Sequence, residues 1–168
     1  MLALFPDATR VTPASYATLL AALRDDLIPS LRDLCPSVTF VGLPSPDRAD
    51  RASLNPSIAN DPAGGYAVVV RHANYRYVDG RYETLDDSGV IQTDNVLVHL
   101  DDDLRVRSVT PIDDGAARTV PPRYPVHGFE DMRLFRHADA WWVSATVREH
   151  REDGRCEIAV GRLDEGTS

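Results

Sequence analysis

The chain contains no lysine: all 18 of its basic residues are arginine. That uniformity reads as a compositional bias, so no single arginine can be taken as chosen for its planar fork. Positive charge is scarce as well as uniform. With 26 acidic residues the formal net charge is -8, which argues against nucleic acid and an anionic membrane as partners, because a polyphosphate needs a basic face. Cysteine is nearly absent. Cys35 and Cys156 lie far apart and fit no metal-ligand spacing, so they read as free, buried thiols of a cytoplasmic protein. Long apolar runs are missing too. The N-terminal MLALFPDATR has too short an apolar stretch and too early a proline for a signal peptide, and no run approaches a membrane span. No glycine-rich phosphate loop and no serine in a nucleophile elbow is present.

The remaining sequence is that of an ordinary globular protein, with 43% apolar and 26% charged residues over a length of 168. Residues 1–50 read as a helical segment and linker. Leu19, Leu20, Leu23, Leu27, Leu31 and Leu34 recur at helical spacing, Thr12 or Ser15 can cap the start, and Pro29 ends or kinks the helix. A Pro- and Asp-rich stretch from Leu43 to Ala52 reads as loop. Residues 51–168 then change character. Tyr66–Arg71, Asn95–Leu100, Arg105–Ile112, Met132–Phe135, Trp141–Val147 and Cys156–Leu163 are short apolar runs. Asp101–Asp103, Ala138–Ala140 and Glu152–Gly154 supply turns between them. That spacing predicts an antiparallel meander without the alternating helices of a parallel sheet.

A meander of four-stranded units builds a sandwich, a barrel or a propeller. The expected fold class is mainly β: a partial β-propeller behind an N-terminal helix. Leu54–Ile112 and Glu130–Leu163 read as successive sheets, each opening with a polar cluster. A blade takes about 40–50 residues, so the chain holds about two. It therefore reads as the N-terminal part of a longer protein, or as one whose open edge is covered by other structure or by another copy.

Three clusters bear the chemistry. Leu54-Asn-Pro-Ser-Ile58 fixes an amide and a hydroxyl beside a proline, and Val70–Tyr77 ends an apolar strand in hydrogen-bonding and aromatic groups. In Gly128–Phe135, two adjacent acids and an arginine open a strand. Alternation sends Glu130 and Met132 to one face and Asp131 and Arg133 to the other. One acid beside a guanidinium suits sugar chemistry, since the carboxyl can protonate a leaving oxygen while the arginine holds it or an oxyanion. A surface Asp–Arg pair on an edge strand is the plainer alternative.

Asn55-Pro56-Ser57, the strand ending in Arg71, and Gly128-Phe-Glu-Asp-Met-Arg-Leu134 occur in an order that resembles the five-bladed propeller glycosidases, a group including the β-mannoside phosphorylases and related mannosidases. The resemblance runs from Leu54 to Leu163, roughly two-thirds of the chain. It implies glycoside cleavage by hydrolysis or phosphorolysis, with Asp131 as proton donor. In the phosphorolytic members the proton reaches the glycosidic oxygen through a sugar hydroxyl while phosphate attacks from the other side. Asn55, Ser57 and Arg71 would line the phosphate or sugar subsite, Arg133 would orient Asp131, and Asn74 and Glu130 complete the candidate substrate contacts. The implied ligand is an oligosaccharide or glycoside, with no cofactor beyond inorganic phosphate as a co-substrate. The alternatives are a non-catalytic glycan-binding or accessory domain, and an inactive fragment of a larger enzyme.

Smaller candidates remain. His72 and His127 flank the proposed site but read more simply as ordinary strand or loop histidines. Trp141 and Trp142 fall on opposite faces of one strand, so one belongs to the core and the other is free to stack on a sugar. Asp101, Asp102 and Asp103 lack the glycine and distal glutamate of a calcium loop and read as a solvated turn. Tyr75 to Thr93 reads as an extra loop.

Overall fold

A computed structural model describes residues 49–118 and 120–164, together with 35, 37 and 41–43. The chain divides into two compact units, Met1–Gly42 and Leu43–Ser168. The helix predicted over Thr12–Leu34 lies outside the described residues. Among the described residues the protein is mainly β, with a single 3₁₀ turn at Gly115–Ala117 and no helix long and apolar enough to cross a membrane.

Ten strands follow in order: β1 (Ala52–Asn60), β2 (Tyr66–Ala73), β3 (Tyr75–Val78), β4 (Arg81–Thr84), β5 (Ile91–Leu100), β6 (Val106–Pro111), β7 (Val126–His127), β8 (Glu130–His137), β9 (Ala140–Val147) and β10 (Glu157–Leu163). One sheet runs β1-β2-β5-β6, antiparallel throughout, and β7 joins the start of β5 in parallel. A second antiparallel sheet has the order β10-β9-β8. β3 and β4 form a separate ribbon between β2 and β5.

β2 is the centre of the packing. Its run of β-branched residues is buried on both faces, which is why it reads as continuous apolar sequence instead of alternating. Ala67 and Val69, with Leu97 of β5, pack on Met132 and Leu134 of β8 and on Trp141, Val143 and Ala145 of β9. Val68 and Val70 face the other way and pack with Val98 and Leu100. Each buried valine contributes roughly 1.5–3 kcal/mol by leaving water.

The turns follow from local chemistry. Asp101 accepts hydrogen bonds from the backbone N–H of Asp103 and of Arg105, so the three aspartates close the β5–β6 connection. Ala138 and Asp139 both take positive φ between the paired His137 and Ala140, the pattern a two-residue hairpin requires. Asp79 and Gly80 do the same between Val78 and Arg81. The region expected as an extra loop, Tyr75 to Thr93, therefore contains a hairpin, because Asp-Gly supplies the one dipeptide best suited to turn it. The expected burial of both cysteines is also overturned: Cys35 and Cys156 are free and exposed.

Gly65, at φ 80°, lets the β1–β2 turn pass against the end of β5, where a Cβ would collide with the Leu100 carbonyl oxygen. Gly65→Ala should cost about 2–4 kcal/mol of unfolding free energy through backbone strain and collision. Gly161→Ala, where a Cβ meets open space, should stay within about 0.5 kcal/mol. Urea unfolding of the two variants, compared by midpoint at common slope, checks the contrast.

Candidate active site at the start of β8

The face of β2 that carries Ala67 and Val69 changes chemistry towards the end of the strand. Arg71 follows on that face, and its cross-strand partner on β5 is Asn95. Arg71 is only 3% exposed, so its charge must be met inside the protein. Its Nε and Nη2 donate to Thr93 Oγ1 at 3.2 and 3.1 Å. Nη2 also donates to Glu130 Oε1 at 2.6 Å, and Nη1 to Asp131 Oδ1 at 3.0 Å. One guanidinium therefore joins β2 and β5 to both acids at the start of β8.

Two backbone irregularities bring the acids there. In β8 the register against β9 shifts between Glu130 and Arg133, and Asp131 sits in that bulge at φ 51°. In β1 the register against β2 shifts between Leu54 and Ser57, and Asn55 sits in that bulge at φ 44°. Asp and Asn tolerate the left-handed region better than other residues with a Cβ, and bulges re-aim side chains. The two re-aimed side chains meet: Asn55 Nδ2 donates to Asp131 Oδ1 at 2.6 Å. Both hydrogen bonds to Asp131 thus fall on Oδ1, while Oδ2 takes none among the described residues. The Asp131 side chain is 39% exposed. A carboxyl gripped by one oxygen and open at the other is fixed in orientation and accessible to a ligand.

Two further groups hold the frame. Asn95 Nδ2 donates to the Phe129 carbonyl at 2.8 Å, just before the acids. Glu149, fully buried, accepts from Gly128 N–H at 2.8 Å. Gly128, at φ 95°, passes so close to Thr93 that a Cβ would lie 2.5 Å from its carbonyl oxygen.

Of Asn55, Arg71, Asp131 and Arg133, expected to meet, the first three do, and Glu130 joins them in place of Arg133. The alternation argument fails at the bulge: Glu130 and Asp131 bind the same guanidinium instead of facing opposite ways. Arg133 is exposed and makes no hydrogen bond or ion pair among the described residues, so the groups that orient Asp131 are Asn55 and Arg71. Ser57 accepts from Leu134 N–H at 3.0 Å and ties β1 to β8. Asn74, expected to touch substrate, is fully buried and occupied within the fold. It donates to Asp86 and the Val90 carbonyl and accepts from Gln92 N–H, and its hydrogen bond is the main reason the Asp86 pKa lies at about 2. His72 lies on the opposite face of β2 from Arg71, buried, with burial lowering its pKa. Trp141 is core, and Trp142 is half-buried.

Sequence reasoning missed Thr93 and Asn95, the polar partners on β5. The signal was faint: two polar residues at alternate positions beside an apolar strand.

Burial raises the Glu130 pKa above its usual 4.5, and Arg71 opposes this only in part. The folded state thus holds this proton more tightly than the unfolded chain does. The associated stability is complete below pH 4.5 and is lost as pH rises through the raised value. Glu130→Gln removes this titration. The unfolding free energy of the parent protein should therefore fall relative to that variant as pH increases above about 4.5. Denaturant unfolding of both proteins from pH 4 to 7 checks the sign; a difference flat across that range contradicts it.

Comparison with family models, with curated proteins and with solved structures finds no match to this chain.

Proposed function

We propose that residues 51–168 form propeller-type blades that bind a glycoside and cleave it, with Asp131 as the general acid. One observation carries the reading: Asn55, Arg71 and Asp131, remote along the chain, converge so that two donors grip Asp131 Oδ1 and leave Oδ2 open. A carboxyl held in this way keeps its proton on the open oxygen when protonated, directed at whatever lies outside. The blade reading is supported by the four-stranded antiparallel sheet and by the matching placement of the two bulged first strands, β1 and β8.

Of the two modes of cleavage, hydrolysis and phosphorolysis, we favour the second. Hydrolytic glycosidases place two carboxyls on either side of the scissile bond. Here both acids lean on one guanidinium, an arrangement that offers a proton donor and, among the described residues, no carboxylate identified as an opposed partner. Inorganic phosphate as co-substrate needs no second carboxylate. Its oxygen attacks the anomeric carbon, the bond electrons leave with the glycosidic oxygen, and that oxygen takes the proton of Asp131 through a sugar hydroxyl. The products are a glycosyl phosphate and a shortened sugar. Arg71 acts here as a positioning residue, since its N–H groups are largely committed to Thr93, Glu130 and Asp131. Arg133, exposed and with no hydrogen bond or ion pair among the described residues, is a cation that could meet an anion.

A non-catalytic glycan-binding role is the second reading, favoured by the half-open setting of Asp131. A β-1,4-mannobiose assay with and without phosphate separates the two. Turnover by the parent protein should fall about a hundredfold or more in Asp131→Asn, with the protein still folded at the assay temperature. Full activity in that variant ends the catalytic reading. Binding without turnover by the parent protein selects the glycan-binding role.

A further inference from the structure

β3 and β4 form a ribbon with two different faces. Arg76 and Glu83 pair across one of them at 3.0 Å. The other carries Tyr75, Tyr77 and Tyr82: the Tyr82 ring stands 5.2 Å from Tyr75, nearly perpendicular, and 5.0 Å from Tyr77. Tyr77 and Tyr82 are 64% and 65% exposed. Adjacent aromatic rings left in water commonly mark a contact surface. Here they border a groove of about 450 Å³ lined by Ala52, Leu54, Tyr75, Arg76, Tyr77 and Tyr82, within the size range of small-molecule sites.

Two members of the groove lining stand next to residues of the acid site. Leu54 immediately precedes Asn55, and the Tyr75 ring lies 5.5 Å from the Arg71 guanidinium. A ligand held at Asp131 would meet the tyrosines if it extended past Leu54. The lining selects the ligand's chemistry. It offers aromatic faces and phenol hydroxyls, while the Arg76 guanidinium is held by Glu83 on the ribbon's other face. Aromatic faces match the C–H face of a pyranose, and the phenol hydroxyls match its hydroxyls.

We propose that the tyrosine face of the β3–β4 ribbon is an outer sugar subsite, holding the residue of an oligosaccharide next to the one bound at Asp131. This rests on the carbohydrate reading of the Asp131 site. It adds that recognition extends beyond one ring and that Tyr77 and Tyr82 set the preference for longer chains.

Calorimetric titration with mannose, β-1,4-mannobiose and β-1,4-mannotriose tests it. The parent protein should bind the trisaccharide about tenfold or more tightly than the monosaccharide, and Tyr77→Ala/Tyr82→Ala should lose most of that gain. Tyr77→Phe/Tyr82→Phe, which keeps the rings, should retain most of it. Glu83→Gln weakens the ribbon from its opposite face and should retain the gain too, which separates loss of stacking from loss of the hairpin. A chain-length gain that survives in the alanine variant, or one lost equally in Glu83→Gln, overturns the subsite while leaving the Asp131 reading intact. No binding of any of the three sugars by the parent protein overturns both.

Discussion

A buried guanidinium organises this domain. Arg71 sits where the apolar floor of β2 ends, almost wholly removed from water. A charge in that position is tolerable only with close, well-directed partners. Thr93, Glu130 and Asp131 provide them, from β5 and from the opening of β8. The need to satisfy one arginine therefore fixes the approach of one sheet to the other at their polar end, while Val69, Leu97, Met132 and Trp141 fix it in the core. Packing and chemistry share an interface, and the site is the polar margin of the core.

The same requirement explains the strained backbone. A regular β8 would send Glu130 and Asp131 to opposite faces, and only one could reach Arg71. The bulge at Asp131 turns both towards it, and the bulge at Asn55 brings a third group to the same oxygen. Left-handed conformations at residues with a Cβ cost on the order of 1–3 kcal/mol each. They persist here because the hydrogen bonds across the cluster over-determine them. Such strain, spent on aiming two side chains from separate sheets at one point, is the feature that separates this cluster from a surface ion pair, whose worth is about 0–1 kcal/mol.

Much of this is legible in the sequence. The apolar run Tyr66–Arg71 and the alternating Trp141–Val147 mark a fully buried and a half-buried strand, and the structure has β2 and β9 there. The resemblance to the propeller glycosidases implies that Asn55, Arg71, Asp131 and Arg133 meet, and the first three do. What escaped is local backbone geometry. Period-two reasoning has no means of seeing a bulge, so it placed Arg133 beside Asp131 and separated the two acids. Asn74 reads as a ligand contact because a polar residue after an apolar strand is ambiguous; its partners, Asp86, Val90 and Gln92, lie across the inserted hairpin. That hairpin carried its own signal in Asp79-Gly80, with tyrosines on either side at alternate positions.

The central claim is that Arg71 and the β8 acids form one coupled unit. A double-mutant cycle between Arg71→Leu and Glu130→Leu, measured by denaturant unfolding, tests it most directly. The single change at Arg71 leaves buried acid without its partner and should cost about 3–5 kcal/mol. The double change should cost less than the sum of the singles by about 1–3 kcal/mol. Additivity within about 0.5 kcal/mol would show that the two groups do not interact and would contradict the account.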